Sequence, residues 1–270
     1  MLETLRLIFK EHMEYLKQIP GLALTDIRKD VRGAGFGWIW LFVKPAIYIL
    51  VFWFALEIGL RAGKTTGGDG PFMLWLAAGL FPWFFMQTMI NTGSNVYSRY
   101  SYLVNKLHFP VSVISTFYTL AQLLVNMALV GIVVVVCLVT GLNRSIYLLQ
   151  VPVIYLVMFL FWTLFSLMTS PLSALSKDFA NLMKVLSTPL FWLSGIIFNV
   201  RGLDIPILQT ILAFDPVASF ATAFRDAIYY QQWVWESPDL YLPFVFVFAL
   251  TAVCALYFFH RTRKDIADVL

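Results

Sequence analysis

Charged positions are spaced along this chain so that long apolar runs stand between them. Between Lys106 and Lys177 the only charged side chain is Arg144, which separates an uncharged run of 37 residues (107–143) from one of 32 (145–176). A bilayer core needs about 20 apolar residues per helix, so this stretch predicts two membrane spans joined by a short loop at 140–147. The same reading places a span at about 38–60, with Lys44 near one end and Glu57 near the other, and another at about 72–93. Spans three and four fall at about 112–139 and 147–171, and a last one at about 240–260. A fifth, at about 181–199, has only 16 uncharged residues between Lys184 and Arg201, and Pro189 removes a helical hydrogen bond near its middle.

Two segments follow a different period. Leu2, Leu5, Phe9, Met13 and Leu16 make one stripe at helical spacing, and Glu3, Arg6, Lys10, Glu14 and Lys17 make another. An amphipathic helix over 2–17, lying on a membrane surface and ended by Pro20-Gly21, is expected. It is followed by the basic segment Arg28-Lys29-Asp30-Val31-Arg32 and a Gly-rich hinge over 33–37. Between spans five and six, Ile205-Pro206 and Asp215-Pro216 punctuate two apolar pieces too short to cross, read as re-entrant or interfacial helices over about 205–230. An ordinary outer loop is the plainer reading of the same residues.

Composition sharpens the class. The chain is 60% hydrophobic and 13% charged in 270 residues, enough for about six spans. The fold expected is an all-α integral membrane protein of six transmembrane helices, with an interface segment over 1–36, a transmembrane domain over 37–260 and a tail over 261–270. Cys137 and Cys254 lie inside apolar runs and predict no disulfide framework. The net charge of +4 is scattered over loops, which argues against a nucleic-acid partner. An even span number puts both termini on one side, which collects 14 basic residues against five on the other. The positive-inside rule makes that side cytoplasmic.

Several chemistries are weighed and set aside. Gly59 to Thr65 superficially suggests a phosphate-binding P-loop, but three residues rather than four separate its glycines and no strand precedes it. His12, His108 and His260 fall at span ends or in cytoplasmic segments, and Ser194-Gly195 lacks a base partner, so a metal site or an intramembrane hydrolase is not expected. A membrane-embedded glycosyl- or phosphotransferase would need paired carboxylates. Asp26 and Asp30 come nearest, but Arg28 and Lys29 stand beside them. A proton-coupled carrier would need buried acids that the spans lack. Aromatic side chains are what the spans do offer, and Trp75, Trp83, Phe84, Phe191 and Trp192 are candidate channel liners, since sugar C–H faces stack on rings. Packing and an interfacial belt explain many such rings equally well. The loop from Arg99 to Pro110 mixes apolar anchors with cations and predicts a short helix between spans two and three, with a solvated connector as the plainer reading.

These residues, in order, resemble the transmembrane subunits of ABC-2 type exporters of lipid-linked polysaccharides. The resemblance rests on Asp26-Ile27-Arg28 through Gly37-Trp38-Ile39-Trp40 to Pro45, on Leu103-Val104-x-Lys106-x-x-Phe109-Pro110 and on Phe224-Arg225-Asp226-Ala227. Gly59-Leu60-Arg61-x-Gly63, Pro71-Phe72, Ala78-Gly79-Leu80-Phe81-Pro82-Trp83-Phe84-Phe85, Ser98-Arg99 and Phe109-Pro110-Val111-Ser112 look most like the wall teichoic acid branch, with O-antigen and capsule exporters as the alternative. Asp215-Pro216 departs from the family's frequent Asn-Pro, and Ala34-Gly35 from its small polar pair. The resemblance implies a homodimer in the bacterial cytoplasmic membrane, working with two ABC ATPase subunits that hold ATP and Mg, and no cofactor on this chain. It implies ATPase coupling through Leu103, Val104, Lys106, Phe109 and Pro110, and an outer gate using Asp215, Pro216, Arg225 and Asp226. Arg28, Lys29, Arg32 and Lys44 would meet the diphosphate of an undecaprenyl-linked polymer, although the positive-inside bias explains the same cations.

Overall fold

The computed structural model describes residues 2–32, 35–59, 70–107 and 109–269. The Gly59–Thr65 turn beyond Gly59, with Arg61 and Lys64, the first two residues of the Gly-rich hinge, and His108 lie outside the described residues. Within them the chain is all helix, with no strand. Five helices are long and apolar enough to cross a membrane, over Gly37–Gly59, Phe72–Lys106, Val111–Thr140, Ile146–Leu175 and Pro238–Arg263.

The amino-terminal segment is two helices rather than one. Helix α1 (Leu2–Tyr15) stops a turn before Pro20, and α2 (Ile19–Val31) carries that proline in its first turn. A proline has no N–H to lose at a helix start, so Pro20 opens the second helix as well as closing the first. The basic run Arg28-Lys29 is therefore the last turn of α2, where cations suit the carbonyl-rich helix end. Helix α3 (Trp40–Trp53) follows a single 3₁₀ turn at Gly37–Ile39 and relaxes into a π-helical end at Phe54–Gly59.

Helix α4 (Phe72–Asn91) breaks at Gly93–Asn95 and continues as the short α5 (Val96–Arg99) and α6 (Ser101–Leu107). The break is closed by a neighbour: the hydroxyls of Ser166 and Ser170 both donate to the Gly93 carbonyl, at 2.7 and 2.9 Å. Helix α7 (Val111–Thr140) starts after Pro110 and ends at Gly141, whose φ of 77° only glycine adopts freely. Helix α8 (Gln150–Leu175) leads into α9 (Lys177–Leu193), capped by the Ser176 hydroxyl accepting from the Phe179 N–H.

Here the expected span five is corrected. Its helix runs from 177 to 193, not 181 to 199, and at 17 residues it falls short of the other spans. Gly195, at φ 68°, turns the chain where the continuation was expected. The segment beyond holds α10 (Pro206–Ala213) and α11 (Pro216–Arg225), the latter prolonged by a π-helical turn to Tyr230. Both start with proline at the first helical positions, and Asp215 caps α11 by accepting from the Val217 N–H at 2.9 Å. The two are bent by 96° and together would count as a sixth, broken span. Helix α12 (Pro238–Val269) runs through the expected tail without interruption.

The core sits on α4, which packs against α7, α9 and α11, while α12 packs along α8. Trp75, Leu76, Leu80, Trp83, Met86 and Met89 of α4 are essentially buried. By contrast α3 is apolar and mostly exposed, as a lipid- or partner-facing helix must be.

Candidate functional site

Helix α4 presents Leu80, Trp83, Phe84, Gln87 and Thr88 at spacings of three and four, which is one helix face. That face is the floor of a groove of about 700 Å³. Helix α3 supplies one wall with Trp40, Lys44, Tyr48 and Phe52, and α9 supplies the other with Phe191 and Trp192. The rings touch across the seam: Tyr48 meets Phe84 at 5.9 Å, Phe52 meets Phe191 at 5.2 Å, and Trp83 meets Phe191 at 5.7 Å. One edge-to-face and two tilted contacts at these distances fix the rings, and Tyr48 and Trp192 keep about half of their surface exposed while Trp83 is buried behind them.

Polar groups are few. Thr88 returns its hydroxyl to the Phe84 carbonyl at 2.8 Å, and the lining's charged groups are Lys44 and Asp30, beside Gln87, the Tyr48 hydroxyl and the indole N–H groups. The Lys44 ammonium lies 6.0 Å from the Trp40 ring centre, and among the described residues no carboxylate pairs with it. Asp30 is committed to Arg99 at 2.7 Å. The groove therefore offers ring faces for C–H surfaces and one ammonium for an anionic head.

Four of the five expected channel aromatics, Trp83, Phe84, Phe191 and Trp192, line this groove, and Trp75 does not. Eight residues before Trp83, it points about 80° away around α4. It is 1% exposed, its indole N–H donates to the Tyr230 hydroxyl at 2.9 Å, and its ring lies under Arg225. Of the four expected entrance cations, only Lys44 reaches the groove. Arg28, Lys29 and Arg32 are exposed on and just after the last turn of α2, with Lys29 near the Tyr100 and Tyr102 rings at 5.6 and 5.7 Å.

The coupling residues divide as well. Leu103 and Val104 are buried in the chain's own core, and Phe109 packs edge-on against Tyr15 at 4.8 Å. The exposed surface of α6 is Tyr102, Asn105 and Lys106. Around it, α2 is pinned by the Tyr100 hydroxyl donating to Asp26 and by the Arg99–Asp30 pair. Burial pushes the Asp26 carboxyl above the usual carboxylate range, opposed in part by the Tyr100 hydrogen bond. Glu11 is raised in the same way by burial, against the hydroxyl it accepts from Ser112.

At the opposite end, the expected gate residues form two sealed clusters. The Arg225 guanidinium is buried and donates to the carbonyls of Trp75 (3.3 Å), Gly195 (2.6 Å) and Ile196 (2.5 Å). It stacks on Trp75 at 3.6 Å, and a Cβ on Gly79 would come within 2.4 Å of its Nη2. Trp75 and Gly79, one turn apart, thus form a notch that admits a flat cation. Asp226 faces the other way, taking a two-pronged bond from Arg201 at 2.6 and 2.8 Å, with Tyr241 at 2.5 Å and Gln232 at 2.8 Å. Asp215 and Pro216 serve as the cap and first residue of α11.

Sequence reasoning named Gly79 only within a quoted stretch and missed Asn143 and Gln150. Asn143 donates to the Ala227 and Ile228 carbonyls at 3.1 and 2.9 Å, and Gln150 to that of Gln232 at 2.7 Å. Their signal was their polarity at the borders of apolar runs. Among the described residues no group of His, Cys, Asp and Glu could hold a metal ion.

The arrangement has counterparts. The profile of the ABC-2 type transporter family matches residues 18–229. The O-antigen export system permease protein RfbA of Myxococcus xanthus is 21% identical over 262 residues, covering 97% of this chain and 98% of the relative. With most of its length matched, from the turn before α2 through the π-helical end of α11, the chain is a member of the ABC-2 type transporter family.

Proposed function

We propose that this permease carries a polyprenyl-diphosphate-linked polysaccharide across the cytoplasmic membrane, as one of two identical subunits driven by two ATPase subunits. Both termini face the cytoplasm, and ATP and Mg reside on the partner. The observation that carries the reading is the groove over α3, α4 and α9, where rings stand beside the Lys44 ammonium, with which no carboxylate pairs among the described residues. A linked polymer presents that combination: sugar C–H surfaces and one diphosphate. The partner-facing surface is Tyr102, Asn105 and Lys106 of α6, with Leu103 and Val104 anchoring it from within.

Two polymers meet these requirements. The Myxococcus relative supports O-antigen, and the Gly59–Gly63, Ala78–Phe85 and Phe109–Ser112 stretches support wall teichoic acid. The test is flipping in vesicles holding the chain with its ATPase. ATP-dependent transfer of lipid-linked polymer between leaflets, lost in Lys44→Ala, is the expected result. Sugar transfer by the chain alone, or flipping independent of ATP, would overturn the reading.

A further inference from the structure

The connection between the bent pair and α12 carries an aromatic surface that the groove does not use. Trp233 and Trp235 stack nearly parallel, with ring centres 4.4 Å apart and planes 12° off. Tyr147 meets Trp233 edge-on at 5.1 Å and supports the stack from the α7–α8 connection. Trp235 is 68% exposed, so the outer face of the pair is open.

The segment that holds the pair is fixed in several places. The Gln150 side chain donates to the Gln232 carbonyl at 2.7 Å and accepts from the Val234 N–H at 3.1 Å. Gln232 in turn donates to Asp226 at 2.8 Å, which ties the indoles to the end of α11. A single turn at Val234–Glu236 then sets the two rings on one side. An exposed indole face held this firmly loses little freedom when something stacks on it.

Charge selects the occupant. Glu236 and Asp239 stand exposed just after Trp235 in the chain, no Lys or Arg occurs from 226 to 260, and Arg201, which reaches Ser237 at 3.2 Å, is paired with Asp226. Two carboxylates repel anionic lipid headgroups and polyanionic chains alike, whereas hydroxyl-rich rings meet them as hydrogen-bond donors. From this geometry we infer that the Trp233–Trp235 pair is an exit-side platform that binds uncharged pyranose rings of the emerging glycan. It therefore favours a sugar-ring polymer over a poly(alditol phosphate). The inference rests on the export reading above, which places this end of the bundle outside.

The experiment uses the full chain in nanodiscs, titrated calorimetrically with lipid-free O-antigen polysaccharide and, separately, with lipid-free poly(ribitol phosphate). The expected result is binding of the polysaccharide that weakens about ten-fold or more in Trp235→Ala and is restored in Trp235→Tyr. Equal affinity for the polyphosphate, or polysaccharide binding unchanged in Trp235→Ala, would overturn the proposal. A lipid anchor would show instead as strong quenching of the Trp235-dependent fluorescence by brominated phospholipid, which also overturns it. ATP-dependent flipping by the same variants is read separately. Failure of the platform leaves flipping by the native chain intact, while failure of the export reading abolishes it.

Discussion

At the end of the bundle that carries α1, α2 and α6, the Arg99–Asp30 ion pair lies near the surface, while Thr4, Thr116 and Asp26 are buried with one or two polar partners each. Thr4 reaches His260 at 2.7 Å, His12 reaches Thr116 at 2.6 Å, and Arg99 reaches Asp30 with a third or more of both side chains exposed. At the other end, Arg225 and Asp226 are buried among several fixed partners each. The ion pair of the first end is open to water and costs little to rearrange. The second cannot be taken apart without stranding charge and carbonyls in an apolar setting. One end is built to shift and the other to hold.

The strongest attempt to break this contrast is Arg225→Met. It strips three carbonyls of their donor and should cost about 3–5 kcal/mol, read as a large fall in the thermal midpoint of the solubilised protein. If that fall is no greater than for Arg99→Met, the two ends do not differ as described. Gly79→Ala keeps every polar group but fills the notch beneath Arg225, and should cost about 1–3 kcal/mol in the same measurement.

A pH series sharpens the shifting end. Burial raises the folded-state pKa of Asp26 above its unfolded value, so folding favours the protonated carboxyl. The stabilising contribution is full below the ordinary carboxylate range and fades as pH rises through the raised value. Protection of α2 amides from hydrogen exchange should therefore grow on acidification from neutrality, and Asp26→Asn should flatten that growth. The smallest effect belongs to Arg99→Met, about 1 kcal/mol or less in stability, because the pair is exposed.

What the residues disclosed in advance follows from physics that is local. Helix α7 was legible because the uncharged run over 107–143 carries a helix-starting Pro110 and a helix-ending Gly141. The five long spans were legible for the same reason. Helix α9 was misplaced because Lys177, Asp178 and Lys184 interrupt its apolar pattern, so hydropathy favoured its far end. Trp83, Phe84, Phe191 and Trp192 were identifiable as rings in spans, but which of them share a groove depends on helix phase. Trp75 fell on another face for that reason. The role of Leu103 and Val104 as internal anchors depends on how α6 lies, which pattern alone does not give. The Arg225 site was hidden more deeply, since its partners are backbone carbonyls that any sequence possesses.

The notch at Gly79 also constrains how this permease can work. Sliding α11 along α4, or lifting it away, would pull a flat cation off the Trp75 ring and the Trp75 carbonyl. Motion that keeps the two helices together meets no such barrier. A passage opened by the distant motor would thus be carved by swinging α4 and α11 as one lever.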